Sequence, residues 1–201
     1  MSKYYGPRLR IIRRLGELPT LTRKSRIRVI RPGRHGGSQK KLTHFRFRLL
    51  EKQKVRFYYG IPERQLVRYV KIALVTKGPT GLILLQSLEI RLDNIIYRLG
   101  WSITLPSARQ LVSHRQILVD ENYITISSLF CSPRKIIRVR ESTNVREWIH
   151  NNLKKWNKKL TQNLLLDAEG IKIVVNEIVN RYKIPLRLNE LLVIEYYSNR
   201  I

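Results

Sequence analysis

Between residues 85 and 119 a strongly basic chain carries apolar side chains at regular spacing, and that spacing restricts its fold more than any other feature. Leu85, Leu88, Leu92, Ile95, Ile96 and Leu99 recur at steps of three and four, the repeat of one buried helix face, and Gly100 supplies a stop. The opposite face of that predicted helix carries Glu89, Arg91, Asp93, Asn94, Tyr97 and Arg98. A second helix is expected to be capped by Thr104 and opened by Pro106, with Ala108, Leu111 and Val112 inward and Arg109, Gln110, Ser113, His114 and Arg115 outward. Short strands are predicted at 117–119, 123–126 and 136–139, the first two joined by a polar Asp120-Glu121-Asn122 turn. Two helices closing over a small twisted sheet make an α+β unit.

The 201 residues are 43% hydrophobic, enough to bury a core, yet 40 Lys plus Arg face 14 Asp plus Glu, a net charge of +26. Such a fold repels itself in isolation and implies a polyanionic partner, nucleic acid first and an anionic membrane surface second. Residues 1–60 hold 18 basic and 2 acidic side chains, 61–140 hold 12 and 5, and 141–201 hold 10 and 7, so the N-terminal third dominates the field. No apolar run is long enough for a membrane span. The lone Cys131 can form no intramolecular disulfide and no Cys-type zinc site, which fits a reducing compartment. The Arg-rich opening MSKYYGPRLRIIRRLG has the look of an organelle presequence, but Pro7, the scarcity of Ser and the basic pattern beyond residue 16 speak against one.

Residues 1–42 mix charge with turn formers at Gly6-Pro7, Pro19, Pro32-Gly33 and Gly36-Gly37-Ser38, so a basic extended arm that orders against a partner is expected. Within it RIRVIR at 26–31 fits a half-buried strand and an extended RNA-lying segment equally well. From Thr43 the period becomes helical through Phe45, Leu49 and Phe57-Tyr58-Tyr59 to Gly60. Another helix is expected from Pro62 with Leu66, Val70, Ala73 and Leu74 on one face, then a TKGPTG linker at 76–81. Beyond Arg140 the chain turns polar, Trp148 and Trp156 fit a docked helix, and LNELLVIEYYS at 188–198 reads as a β-rich run pairing back onto an earlier element.

Five stretches, GPRLRIIRRLGELPTLTRKS at 6–25, RLLEKQKVRFYYGIPERQLVRYV at 48–70, LEIRLDNIIYRLG at 88–100, ARQLVSHRQILV at 108–119 and NELLVIEYYS at 189–198, resemble in sequence and order the family of ribosomal protein four of the small subunit, in its plastid form. The resemblance implies an α+β fold: an extended basic arm at 1–42, a helical N-terminal domain at 43–87, a small helix-helix-β RNA-binding module at 88–150, and a C-terminal segment at 151–201 packing on the N-terminal domain. It also implies a non-catalytic constituent of the plastid ribosome, in the stroma, that binds small-subunit rRNA at a multi-helix junction and nucleates assembly of the body. Its further implied neighbours are ribosomal protein five of the small subunit and mRNA where it enters. No membrane, small-molecule substrate, cofactor or metal is implied, since the four N-terminal cysteines that hold zinc in bacterial relatives are missing here. Two departures from the family pattern, VDENY at 119–123 in place of a Gly-containing turn and Arg134-Lys135 in place of a Gly-Asp pair, are expected to distort the hairpin and last strand.

Candidate RNA contacts follow from charge and expected exposure. In the basic N-terminal part they are Arg8, Arg10, Arg13, Arg14, Arg23, Lys24, Arg46, Arg48, Lys52, Lys54, Arg56 and Arg64, whose arginines offer bidentate bonds to phosphate. In the module they are Arg98, Arg109, Gln110, Ser113, His114 and Arg115, suited to phosphates and 2′-hydroxyls of a duplex or junction read by shape. Each of the latter is equally readable as a plain exposed side chain, and Arg91 as an ion-pair partner of Asp93 or Glu89. Tyr4, Tyr5, Phe57, Tyr58 and Tyr59 lie among cations and could stack bases, although Phe57 reads better as helix core. The competing readings are a free RNA chaperone or stress-related RNA-binding protein carrying the same module and, remotely, a pseudouridine synthase, because RLDN at 91–94 places an Asp after Arg-Leu as in those enzymes. The chain has no length for their catalytic domain, and its four histidines have neither metal-like nor catalytic spacing.

Overall fold

The computed structural model describes Tyr4, residues 6–24, Ile30, 33–34, Gly36, 43–156, 164–166, 172–175, 179–186 and 188–198. The chain divides into two compact units, residues 1–84 with 186–201, and residues 85–185. The RIRVIR segment and Tyr5 lie outside the described residues apart from Ile30.

The first unit is helical. Within the segment expected to be extended, Arg8–Leu15 forms α1, because Ile11 and Ile12 make an apolar pair that it buries, followed by buried Leu18, Thr20 and Leu21. Thr20 ties this segment down by donating its hydroxyl to the carbonyl of Tyr58 at 2.6 Å. Helix α2 (His44–Tyr58) begins where Thr43 accepts the backbone N–H of Arg46, and α3 (Glu63–Val75) buries Leu66, Tyr69, Val70 and Ala73 at helical spacing. Leu74, expected on that buried face, is exposed.

The expectation of a C-terminal strand is overturned: Glu190–Ser198 is a helix, α8. The strand-favouring residues Val193, Ile194, Tyr196 and Tyr197 were outweighed by their spacing, since Val193, Tyr196 and Tyr197 bury together one turn apart. Asn189 accepts the N–H of Leu191 and Glu190 supplies a negative charge in the first turn. Helix α8 packs along α2, with Arg48 Nε 2.9 Å from Glu195 Oε2 and the Phe45 and Tyr196 rings 5.9 Å apart.

Glu63 is the junction of α2, α3 and α8: one carboxylate oxygen accepts Lys52 Nζ at 2.8 Å and the Tyr197 hydroxyl at 2.7 Å. Burial pushes the carboxyl up, but those two bonds and the charges of Lys52 and Arg56 outweigh it and hold it below the usual carboxylate value. Tyr197 is pushed up, by burial first and by its bond to Glu63 second.

The second unit carries the sheet. After α4 (Thr80–Glu89), in which the unit boundary falls, the predicted continuous helix over 85–99 breaks at Ile90-Arg91 and restarts as α5 (Leu92–Arg98). The cause is an antiparallel bridge between Arg91 and Phe130, flanked by Leu92 N–H to Leu129 O at 2.9 Å and Cys131 N–H to Ile90 O at 3.0 Å. Helix α6 (Leu105–Ser113) follows, then β1 (Ile117–Val119), β2 (Asn122–Tyr123), β3 (Ile136–Val139), α7 (Thr143–Lys154), β4 (Leu164–Leu166), β5 (Lys172–Val175) and a 3-10 turn at Arg181–Lys183. The five-stranded sheet is antiparallel in the order β2-β1-β3-β5-β4. Alternate residues of β1, β3 and β5 point inward, so Ile117, Val119, Ile137, Val139, Ile173 and Val175 meet Leu92, Ile95, Ile96, Leu99 and Trp101 in one core. Residues 164–185 thus fall in this unit, not with the helical unit as the 151–201 segment was expected to do. Cys131 lies in the core, where burial pushes its thiol up to about 12.

The expected distortion at VDENY takes a regular form. Asp120 and Glu121 both adopt positive φ, 49° and 71°, as a two-residue type I′ hairpin requires. Asp120 is held by both ends: its N–H donates to Ile136 O and its Oδ1 accepts the Ile136 N–H. Arg134 also takes a positive φ of 72°. Gly100 needs its own lack of a side chain twice, for a φ of 79° and because a Cβ would sit 2.6 Å from the Trp156 ring.

Two stability outcomes follow. Gly100→Ala should cost at least about 2 kcal/mol in chemical denaturation, whereas Arg134→Gly should raise the midpoint through relief of left-handed strain worth about 1 kcal/mol. Because folding lowers the Glu63 pKa, its contribution is complete above the unfolded value near 4.5 and is lost as pH falls through the folded value. Glu63→Gln should cost about 1–2 kcal/mol at pH 7, a loss that shrinks on acidification, as thermal melts across pH 3 to 7 would record.

Candidate nucleic-acid interface

The polar face expected to be exposed on the first module helix is buried. Asp93 is fully enclosed, and Arg91 grips it with Nε to Oδ1 at 3.0 Å and Nη2 to Oδ2 at 2.9 Å. Arg109, predicted to point outward from α6, instead reaches back to Asp93 Oδ2 at 2.8 Å, which fastens α6 to the start of α5. Beside this cluster Glu89 accepts two bonds from Arg98, at 3.0 and 2.6 Å, and one from Asn94 at 2.5 Å. Of the pairings considered for Arg91, the one with Asp93 forms, at the N-cap position of α5. Enclosed between two guanidinium groups, Asp93 has no path to a substrate, so the chemistry of a nucleophilic aspartate is closed to it.

The same correction applies in the helical unit. Lys52 is buried against Glu63 and stacks its ammonium 4.7 Å from the Tyr196 ring. Arg48 pairs with Glu195, Lys54 with Glu51, and Arg56 lies 4.0 Å from Glu63. Lys52, Arg48 and Arg56 hold helices together, whereas the Lys54 pair lies within α2. Arg46 is half-buried.

The remaining candidates sit on the surface. Arg8, Arg10, Arg14, Arg23 and Lys24 are exposed around α1; Arg8 donates to Leu21 O, and the half-buried Arg13 donates to Ile30 O at 2.9 Å. Arg10 and Arg14 lie one turn apart on α1. On α3, Arg64, Arg68 and Lys71 form an exposed stripe opposite the buried Leu66, Val70 and Ala73. Arg68 and Lys71 were missed as candidates, although their offsets of four and seven from Arg64 place them on its face. Arg10, Arg14, Lys24, Arg64, Arg68, Lys71 and Arg115 form no ion pair among the described residues.

In the second unit Gln110, Ser113, His114 and Arg115 are exposed at the C-terminal end of α6, where Arg115 turns the chain with a φ of 56°. Arg140, just past the end of β3, lies over the ring of Tyr123 on the edge strand β2 at 5.8 Å, a cation-aromatic pair. Tyr4 packs edge-on against Phe57, while Tyr58 and Tyr59 are buried, so the latter two are core. Among the described residues no group of acidic, His and Cys side chains could hold a metal, and no helix is long and apolar enough to cross a membrane.

Asp93→Asn should destabilise the second unit by about 3–5 kcal/mol, since it leaves Arg91 buried without its counter-charge. Arg109→Gln should cost less, because the Arg109 side chain remains partly open to solvent. Thermal melts of the two variants would rank them.

Comparison with known proteins assigns this architecture. The model of the ribosomal protein S4/S9 N-terminal domain matches residues 3–89, and that of the S4 domain matches residues 90–137, so the two meet at the break between α4 and α5. The chain is 48% identical over 204 residues to the small ribosomal subunit protein uS4c of Marchantia polymorpha and 49% identical over 201 residues to that of Splachnum sphaericum, with 100% of both chains covered in each case. It is 49% identical over 204 residues to the small ribosomal subunit protein uS4 of a Cyanothece strain, again across 100% of both chains. With matches spanning its whole length and both of its units, the chain belongs to the uS4 family of small ribosomal subunit proteins.

Proposed function

We propose that this protein is a non-catalytic, RNA-binding constituent of the small subunit of a plastid ribosome. The observation that carries the reading is the full-length match to small-subunit proteins, several of them designated uS4c, on a chain of net charge +26 whose exposed cations line α1, α3 and the end of α6. Its mechanism is electrostatic capture followed by shape-specific docking. Unpaired guanidinium and ammonium groups release counterions from phosphates, and the rigid surface of the second unit then fits a folded RNA duplex or junction. The buried ion pairs keep that surface rigid, so cations such as Arg98 and Arg109 serve RNA binding through shape.

Within this reading the protein binds small-subunit rRNA early, nucleates assembly of the body, borders ribosomal protein five of the small subunit and lies where mRNA enters. Arg8, Arg10, Arg14, Arg23, Lys24, Arg64 and Arg115 are the candidates whose exposure suits direct phosphate contact. Arg68 and Lys71 join them.

Fractionation of plastid ribosomes should recover the protein in the small subunit at one copy per particle; substoichiometric or growth-dependent recovery would instead support a free RNA chaperone. With a full-length small-subunit rRNA transcript, Arg64→Ala/Arg68→Ala should weaken binding across sequences and reduce the log-log salt slope by roughly 0.7–0.9 for each phosphate that the variant no longer engages. An unchanged slope would remove α3 from the interface.

A further inference from the structure

Helices α6 and α7 leave between them a cleft of about 360 Å³, a size within the roughly 300–1,000 Å³ of small-molecule sites. Gln110 and His114 of α6, Asn144 and Trp148 of α7, and Gln116 beyond α6 contribute to its wall, and no lining side chain is acidic. Trp148 is 38% exposed although α7 buries its neighbour Ile149 in the core. Gln116 donates its Nε2 to His114 O at 3.0 Å, which fixes the turn at the end of α6. Gln110 and Asn144 are exposed, so the cleft offers carboxamide donors and acceptors to a ligand.

The chemistry of the wall selects its occupant. No Lys or Arg lines the cleft, so a phosphate would find no charge-assisted partner there. A flat heterocycle with amino groups on its edge matches what is present: an indole for stacking, and carboxamides for the edge. Arg115, exposed next to His114, stands outside the cleft with a cation for the backbone of the same nucleotide.

We propose that the cleft between α6 and α7 receives one unpaired base of the bound RNA, stacked on Trp148 with its polar edge against the exposed carboxamides of Gln110 and Asn144. This rests on the rRNA-binding reading and adds a single-base contact to recognition by shape and charge.

The test uses the full-length protein and a full-length small-subunit rRNA transcript. Trp148→Leu keeps apolar bulk against α6 but removes the stacking face; affinity should fall roughly 5- to 150-fold, the range for losing one stacked base, with the salt slope unchanged. Photocrosslinking with mass spectrometry should place a nucleotide adduct within residues 107–116 or 144–148. If Trp148→Leu lowers the melting temperature, Gln110→Ala/Asn144→Ala serves as the second variant and should weaken binding without touching the indole. Failure of the wild-type protein to bind the transcript would overturn the rRNA-binding reading itself. Wild-type binding with full affinity retained by a folded cleft variant, or adducts confined to other segments, or another subunit protein crosslinked in the cleft, would overturn this inference alone.

Discussion

A fully buried carboxylate, Asp93, organises the second unit. Asp93 sits between Arg91 at the start of α5 and Arg109 of α6, which satisfy its carboxylate, while its backbone N–H donates to Ser127 O of the 127–131 segment, so three elements meet at this residue. A charge enclosed in this way is tolerated only if its partners are fixed in place. The same segment, through the Arg91–Phe130 bridge, breaks the chain between α4 and α5 and thereby divides a single apolar stripe between two helices. Rigidity therefore comes from an electrostatic knot at the edge of the apolar core, and a surface that reads folded RNA by shape depends on rigidity.

The helical unit uses the same device with weaker means. Glu63 collects Lys52 from α2 and Tyr197 from α8 onto the beginning of α3, joining segments far apart in sequence. In both units a chain with nearly three cations for each acid spends its scarce acids on architecture. Glu63, Glu89, Asp93 and Glu195 each hold a cation against another part of the fold and Glu51 pairs with Lys54 within α2, so the positive charge left over is concentrated on outer faces.

Much of this was legible in the sequence. The steps of three and four in 43–75 and 85–112 located the helices, and β1 and β3 appear at the predicted residues, because apolar periodicity reports directly on which faces are buried. What stayed hidden depended on partners remote in sequence. Nothing near Arg91 announces the bridge to Phe130, so the helix looked continuous. Nothing in LNELLVIEYYS shows that α2 offers a groove for Val193, Tyr196 and Tyr197, so strand propensity looked decisive. Counting cations overstated the interface for the same reason: Lys52, Arg98 and Arg109 look exposed until their acids are located. Strands β4 and β5 lie in a polar stretch whose short apolar runs gain meaning only beside β3.

The core position of Cys131 has a practical side. A thiol held protonated far above neutrality and sealed among Ile, Val and Trp side chains cannot present the thiolate that alkylating reagents and peroxides attack. The wild-type chain is thus chemically silent toward maleimides while folded, so a single cysteine introduced on α3 or at the end of α6 would take a fluorophore or spin label with no need to remove the native sulfur.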